Sequence, residues 1–233
     1  MKIGNTPKIE YFEELDSTNE YVKLKRVAGV ERIAVAKRQT GGRGTKGRSF
    51  SSESGGVYLS MLRFPENLLA KDAFTIMAGA AVAVCKTLSR FGLNPVIKWA
   101  NDIYVNDKKI CGILIENVFS GKFVRSSVVG IGVNVCNSLP EDLLAIATTM
   151  QRETGNCFSV EEVRDTLISE LGKPHSMEEY LSYLGYMGRT VRLLFSDKSV
   201  HATLISVDEE GGLTVEIDGV RQRLTSAEVS LVI

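Results

Sequence analysis

Histidine is nearly missing from this chain, with His175 and His201 the only two in 233 residues. That excludes a histidine-rich metal centre, and without a Gly-x-Ser-x-Gly string it argues against a histidine-based nucleophile triad. Cysteine is sparse too: residues 85, 111, 136 and 157 form no Cys-x-x-Cys pair, which excludes a zinc ribbon or a disulfide framework and favours a reducing cytoplasm. Net charge is absent, since 28 Lys and Arg balance 28 Asp and Glu, so no global field draws the protein to nucleic acid or an anionic membrane. Long apolar runs are lacking as well. The longest, Ala73 to Cys85, lies between Asp72 and Lys86 and is expected to be a buried helix too short for a bilayer. Met1-Lys2-Ile3-Gly4-Asn5 lacks the apolar core of a signal peptide.

What the chain does have is one concentrated stretch, Gln39-Thr40-Gly41-Gly42-Arg43-Gly44-Thr45-Lys46-Gly47-Arg48-Ser49-Phe50. Four glycines fall in the seven residues 41–47, and residues 37–52 hold five cations and no acid. Glycine lets a backbone approach a ligand closely, and guanidinium or ammonium groups suit phosphate and carboxylate oxygens. The stretch spells Gly-x-Gly-x-x-Gly, but a dinucleotide fingerprint requires a helix to follow at once. Here Ser49 to Gly56 reads as loop and Val57 to Leu62 as strand. A kinase glycine loop is excluded by the lack of His-Arg-Asp and Asp-Phe-Gly. The stretch is therefore a cationic loop between two strands, either a ligand cradle or a solvated turn.

Taken in order, the pattern predicts a strand over 9–15 and a helix opening at Asp16-Ser17-Thr18-Asn19-Glu20, where capping alone would explain the polar residues. It then predicts strands over 32–38 and 57–64 and a long helix over 68–91. Asn106-Asp107 marks a hairpin turn, and strands 109–119 and 123–133 pair through a second turn at Ser120-Gly121-Lys122. Trp99, Asn101, Asp102 and Lys109 are thus brought to one sheet edge. Gly130-Ile131-Gly132-Val133-Asn134 is a strand whose two glycines mark either a bulge or a close approach. A short helix is expected over 141–150, further helices over 159–171 and 176–186, and strands over 190–194, 200–207, 213–217, 220–224 and 228–232, with turns that include Ser196-Asp197. The tail reads as a small β-barrel.

Taken together, Ser17-Thr18-Asn19, Gln39, Gly42 to Arg48, Lys98-Trp99-Ala100-Asn101-Asp102, Lys109 to Leu114 and Gly130 to Asn134 resemble, in that order, the motifs of the biotin protein ligase family. The closing Ala227-Glu228-Val229-Ser230-Leu231 is also similar to that family's tail, so the resemblance spans nearly the whole chain. It implies an α+β fold: a mixed, mostly antiparallel sheet with helices, like class II synthetases, over residues 1–186, and an SH3-like barrel over 187–233. The implied activity is ATP-dependent attachment of biotin to a lysine of a biotin carboxyl carrier protein through biotinyl-AMP, with Mg2+ accompanying the triphosphate. Ser17, Thr18, Asn19 and Gln39 would bind the fused-ring head of biotin, with Gly42, Gly44, Thr45 and Gly112 lining its site. Arg43 and Lys109 would hold the carboxylate and the α-phosphate. Arg48, Phe50, Asn101 and Asn134 would place ATP, and Asp102 would orient or deprotonate the acceptor lysine.

Ala100 stands where the family has proline, and Thr45 where many members have arginine, which implies a weaker hold on the intermediate unless Lys46 reaches the same oxygen. Residues 41–50 are expected to be mobile until an anion neutralises their cations. No DNA-reading helix-turn-helix fits before Ile9, so a monomeric or homodimeric enzyme that binds neither DNA nor membrane is expected. Two other readings stand beside this one. A lipoate ligase or octanoyltransferase would share the fold, but its Arg-Arg-x-x-Gly-Gly-Gly and His-Asp strings do not occur here. A non-catalytic anion- or RNA-binding module would not require Lys109, Asp102 and Asn134 together.

Overall fold

Strands with alternating burial and helices with apolar stripes assemble here into two sheets, a large core that reaches both, and a small separate cluster of Val22, Ala34, Leu62 and Val128. The computed structural model describes residues 7–196 and 198–232, so the expectations for Met1 to Asn5 and for the Asp197 turn lie outside the described residues. The first sheet has seven strands: β1 (Lys8–Leu15), β2 (Arg32–Gln39), β3 (Val57–Arg63), β4 (Val96–Lys98), β5 (Asp102–Val105), β6 (Lys108–Ser120) and β7 (Phe123–Val133). Their spatial order is β1-β2-β3-β7-β6-β5-β4. Only β1 and β2 run parallel; every other pair is antiparallel, so the sheet is mixed and mostly antiparallel as expected.

Side chains alternate across a strand, and one face of this sheet is apolar throughout. Ile33, Val35, Leu59, Ile97, Ile103, Ile113, Ile131 and Val133 pack there against α2 (Phe74–Arg90). A short 3-10 turn over Ala70–Asp72 replaces the start of the expected helix. Counted with that turn, Ala70–Arg90 is long and apolar enough to cross a membrane, so the expectation from length alone was too strict. Its buried residues, Ala78 and Ala80 to Cys85 among them, are instead spent on the core. The helices α4 (Val160–Leu171) and α5 (Met177–Tyr183) cover α2.

The opposite face of the same sheet is a trough. One row of register partners across it reads Lys98, Asp102, Gly112, Gly132, Tyr58, and the next reads Leu114, Gly130, Ser60. Three glycines without side chains thus form the floor. The helix α1 (Thr18–Leu24) lies across one end of it.

Residues 141–150 differ from the expected helix. A 3-10 turn at Glu141–Leu143 and a five-residue α3 (Met150–Thr154) flank a turn over 144–146 and a bridge at Ala147, because backbone bonds from Lys109 N to Ile146 O and from Thr148 N to Lys109 O hold these residues alongside β6. The second sheet has β8 (Thr190–Leu194), β9 (Ser199–Val207), β10 (Leu213–Ile217), β11 (Val220–Leu224) and β12 (Ser230–Val232) in the order β11-β10-β9-β8-β12. It is antiparallel, and no ladder between β11 and β12 closes it among the described residues. Trp99 Nε1 donates to Gly211 O at 3.0 Å, which ties the first sheet to the second.

Candidate active site

Two backbone features aim the side chains of the site. Asn106 and Asp107, with φ of 48° and 59°, make the left-handed pair that a two-residue hairpin needs, and so set β5 against β6. A bulge between Ile103 and Tyr104 then pairs Tyr104 with Lys109 while Asp102 pairs with Gly112. With strict alternation Lys109 and Gly112, three residues apart, would face opposite sides. The bulge brings both onto the trough. Lys109 Nζ lies 2.7 Å from Asp102 Oδ1 and 5.9 Å from the centre of the Phe50 ring.

At the other end a polar network is buried under α1. Ser17 caps the helix, its Oγ accepting from Glu20 N at 3.5 Å. The Thr18 amide and hydroxyl both donate to Gln39 Oε1, at 2.8 and 3.0 Å. Gln39 Nε2 donates to Ser52 Oγ at 2.9 Å, and Ser60 Oγ lies 2.7 Å from Thr18 Oγ1 while bonding Asn19 Oδ1. Ser17, Thr18, Asn19 and Ser60 are all buried. Polar groups are kept in an interior only when bonded, so capping alone does not account for this set.

Asn19 Nδ2 also donates to Glu116 Oε2 at 2.8 Å, and Lys23 Nζ binds Glu116 Oε1 at 2.8 Å. Burial pushes the Glu116 carboxyl up, but the hydrogen bonds from Lys23 and Asn19 outweigh it and hold the group below its ordinary 4.5. A carboxyl depressed on folding adds stability above its unfolded value and loses that contribution as pH falls through the folded one. The melting temperature of the wild type should therefore exceed that of Glu116→Gln most clearly above about pH 5. The gap should close on acidification; a gap independent of pH would mean that the charge contributes nothing.

The cationic loop folds back on itself. Gly44 N donates to Arg48 O at 2.7 Å and Phe50 N to Gly42 O at 2.9 Å, so these two amides are engaged within the loop. Gly42 is required here, since a Cβ would sit 2.4 Å from Phe50 O. The Phe50 ring rests on the floor, where a Cβ on Gly132 would lie 2.5 Å and one on Gly112 3.0 Å from ring carbons. Arg43 Nη1 pairs with Glu20 Oε1 at 2.8 Å. Arg48 Nε donates to Thr45 O and its Nη2 to Thr45 Oγ1, both at 3.3 Å, so Thr45 positions an arginine. Lys46, at φ 58°, turns away and donates to Val229 O (3.1 Å) and Ser230 Oγ (3.0 Å); it does not substitute for an arginine at position 45 in this structure.

These parts enclose a cavity of about 500 Å3 that contains every residue assigned from the sequence except Gly42, which supports the wall from behind. Asn101 Nδ2 is committed to Ile113 O at 2.9 Å. Asn134 is engaged at both ends, donating to Thr148 O at 3.1 Å and accepting from Asn137 Nδ2 at 3.2 Å, so it braces the 138–148 strap. Sequence reasoning missed that strap, whose Leu139, Leu143 and Ile146 give the cavity an apolar wall, and it missed Leu194 and Leu231 from the second sheet. It also missed Ser60, although the one serine in the otherwise apolar and aromatic run Val57 to Leu62 was a legible signal.

The profile of the biotin/lipoate A/B protein ligase family matches residues 11–134, and that of the biotin protein ligase C terminal domain matches 186–232. The chain belongs to the biotin protein ligase family. Among its relatives is the bifunctional ligase/repressor BirA of Salmonella typhimurium, 30% identical over 93% of this chain and 72% of that protein. The biotin--[acetyl-CoA-carboxylase] ligase of Paracoccus denitrificans is 27% identical over 92% of this chain and 96% of its own. Biotin protein ligase from Aquifex aeolicus in complex with biotin and ATP superposes with a TM-score of 0.76 at 30% identity, covering 97% of this chain and 99% of that one. Within the family, the trough, its polar end and its cations are the candidate biotin protein ligase active site of this chain.

Proposed function

We propose that this protein activates biotin with ATP and transfers the biotinyl group to a lysine of a biotin carboxyl carrier protein. One observation carries the reading: a glycine-floored trough with a buried hydrogen-bonding network at one end and a cluster of cations, Arg43, Arg48 and Lys109, at the other. Biotin has the same polarity along its length, from a ureido head through an apolar chain to a carboxylate. Thr18, Asn19, Gln39 and Ser17 supply donors and acceptors for the head, and Gly44, Thr45 and Gly112 flank the chain.

Arg43 and Lys109 hold the carboxylate beside the α-phosphate, and Arg48 takes the nucleotide phosphates. Holding two anions together and offsetting the charge that develops is the main work of such a site. Phe50 and the apolar strap offer flat surface to adenine, while Asn134 acts by bracing the strap and Asn101 has its carbonyl oxygen left for a ligand. Asp102, already paired with Lys109, orients the incoming lysine amine as it attacks the anhydride carbonyl. Mg2+ would enter with the triphosphate, part of whose charge it would neutralise.

The division into a catalytic part, 1–186, and a C-terminal part, 187–233, belongs to the same proposal, as do a cytoplasmic location and a monomeric or homodimeric state. Biotin-dependent exchange of pyrophosphate into ATP tests the reading, and exchange that requires lipoate instead would replace it with the lipoate branch. Limited proteolysis gives an independent check on the loop. Cleavage at Arg43, Lys46 or Arg48 should slow sharply with biotin plus ATP, because an anion relieves the mutual repulsion of these cations. Equal cleavage with and without ligands would mean the loop is already fixed.

A further inference from the structure

Lys98 takes no part in the roles above, yet its ammonium is drawn into the same cavity. It stands opposite Asp102 in the β4–β5 ladder, and Asp102 stands opposite Gly112, so the row from the glycine floor runs through Asp102 to Lys98 at the sheet edge. Asp102 is occupied by Lys109 at 2.7 Å. Among the described residues Lys98 Nζ reaches no carboxylate; it donates to Tyr104 Oη at 2.9 Å and lies 4.7 Å from that ring's centre. Tyr104 is a neutral partner: burial, and then the Asp102 charge, push its pKa up to about 12. Burial, followed by the charges of Lys109 and Arg48, holds Lys98 below the ordinary lysine value against the pull of Asp102. Lys98 and Arg48 thus have no carboxylate partner among the described residues, whereas Asp102 is taken by Lys109, Arg43 by Glu20, and the cavity's other carboxylate, Asp107, accepts from Tyr186 Oη.

We propose that Lys98 is a catalytic cation of the adenylation step, seating the outer phosphates of ATP and holding pyrophosphate as it leaves. The inference rests on the ligase reading above. In that step a carboxylate oxygen of biotin bonds to the α-phosphorus while the bond from that phosphorus to the bridging oxygen breaks. The electron pair leaves on pyrophosphate, and no proton is transferred. An in-line displacement puts the leaving oxygen opposite the attacking one. The row supplies that order: the Lys109 ammonium, which would hold the carboxylate, lies beside Gly112 and the Phe50 ring and pairs with Asp102, and Lys98 is one strand further, about 5 Å on. A desolvated ammonium bonded only to a phenol is costly until a polyanion arrives. With pyrophosphate present it becomes a preplaced donor where charge develops.

The test separates the half-reactions of the full-length protein. Lys98→Met should lower biotin-dependent ATP–pyrophosphate exchange about 10- to 100-fold and raise the KM for pyrophosphate by a similar factor, the loss expected for one charge-assisted bond. Biotin binding and transfer from added biotinyl-AMP to a purified apo carrier domain should stay within about twofold of wild type. Lys98→Arg should recover part of the pyrophosphate affinity, and Lys98→Gln serves if the Met variant fails to melt cooperatively. An unchanged KM for pyrophosphate, equal losses in both half-reactions, or a loss confined to transfer would overturn the proposal, the last by moving Lys98 to the acceptor amine. Absence of biotin-dependent exchange in the wild type would instead sink the ligase reading itself.

Discussion

Lys109→Ala is expected to reduce adenylate formation about 10²- to 10³-fold, the usual cost of removing one oriented donor at a developing anion. Lys109 is the cation that the β5–β6 bulge delivers to the glycine floor, and its direct carboxylate partner is Asp102 at 2.7 Å. Its aliphatic stem contributes little to the core, because the side chain is about one-third exposed and flanks the apolar strand rather than filling it. The fold should therefore survive. Trp99, the only tryptophan, reports this directly, since it is buried and bonded to Gly211 across the two sheets. Normal tryptophan emission with lost pyrophosphate exchange is the expected pair of results. Near-normal exchange would remove Lys109 from the reaction.

Gly130→Ala should be as damaging at the other end of the trough. A Cβ there would sit 2.1 Å from Asn19 Oδ1 and 2.9 Å from its Cγ, an impossible contact. Asn19 cannot swing away cheaply, because it is buried and held by Ser60 and Glu116. Forcing an extra methyl into such packing costs about 1–3 kcal/mol, and the displaced amide spoils the network proposed to read the biotin head. The KM for biotin should rise about 100-fold, with a smaller change in the KM for ATP. Gly79→Ala in α2 is the matched control: nothing lies within 4 Å of its added Cβ, and alanine favours a helix. An unchanged biotin KM in Gly130→Ala would show that Asn19 has room to move and that the head binds elsewhere.

Much of the site is legible in the sequence, for reasons tied to particular residues. Asn106-Asp107 announces a tight hairpin because few residues tolerate two left-handed conformations in succession. Gly130 and Gly132 announce a close approach because a strand gains nothing from glycine unless something must come near. Ser17 was ambiguous, since a helix cap and a ligand donor call for the same residue types, and it proved to be a cap on a buried network. The strap at 138–148 misled the helical reading because its pairing beside Lys109 is a long-range contact that local periodicity does not encode.

The sequence by itself determined the element types outside the 138–148 strap, the strand-loop-strand setting of the cationic stretch and the family motifs, since these depend on local propensity and on residue order. Tertiary structure alone decided which side chains share a face. The bulge at Ile103/Tyr104 turns Lys109 toward the floor, and the ladder register sets Lys98, Asp102, Gly112 and Gly132 in one row. The second sheet takes Lys46 out of the cavity through Ser230 and Val229. Each of these outcomes is a pairing between residues distant along the chain or a one-residue slip in a ladder. A strand reverses every side chain with such a slip, so the physical deciding step is the register and not the composition.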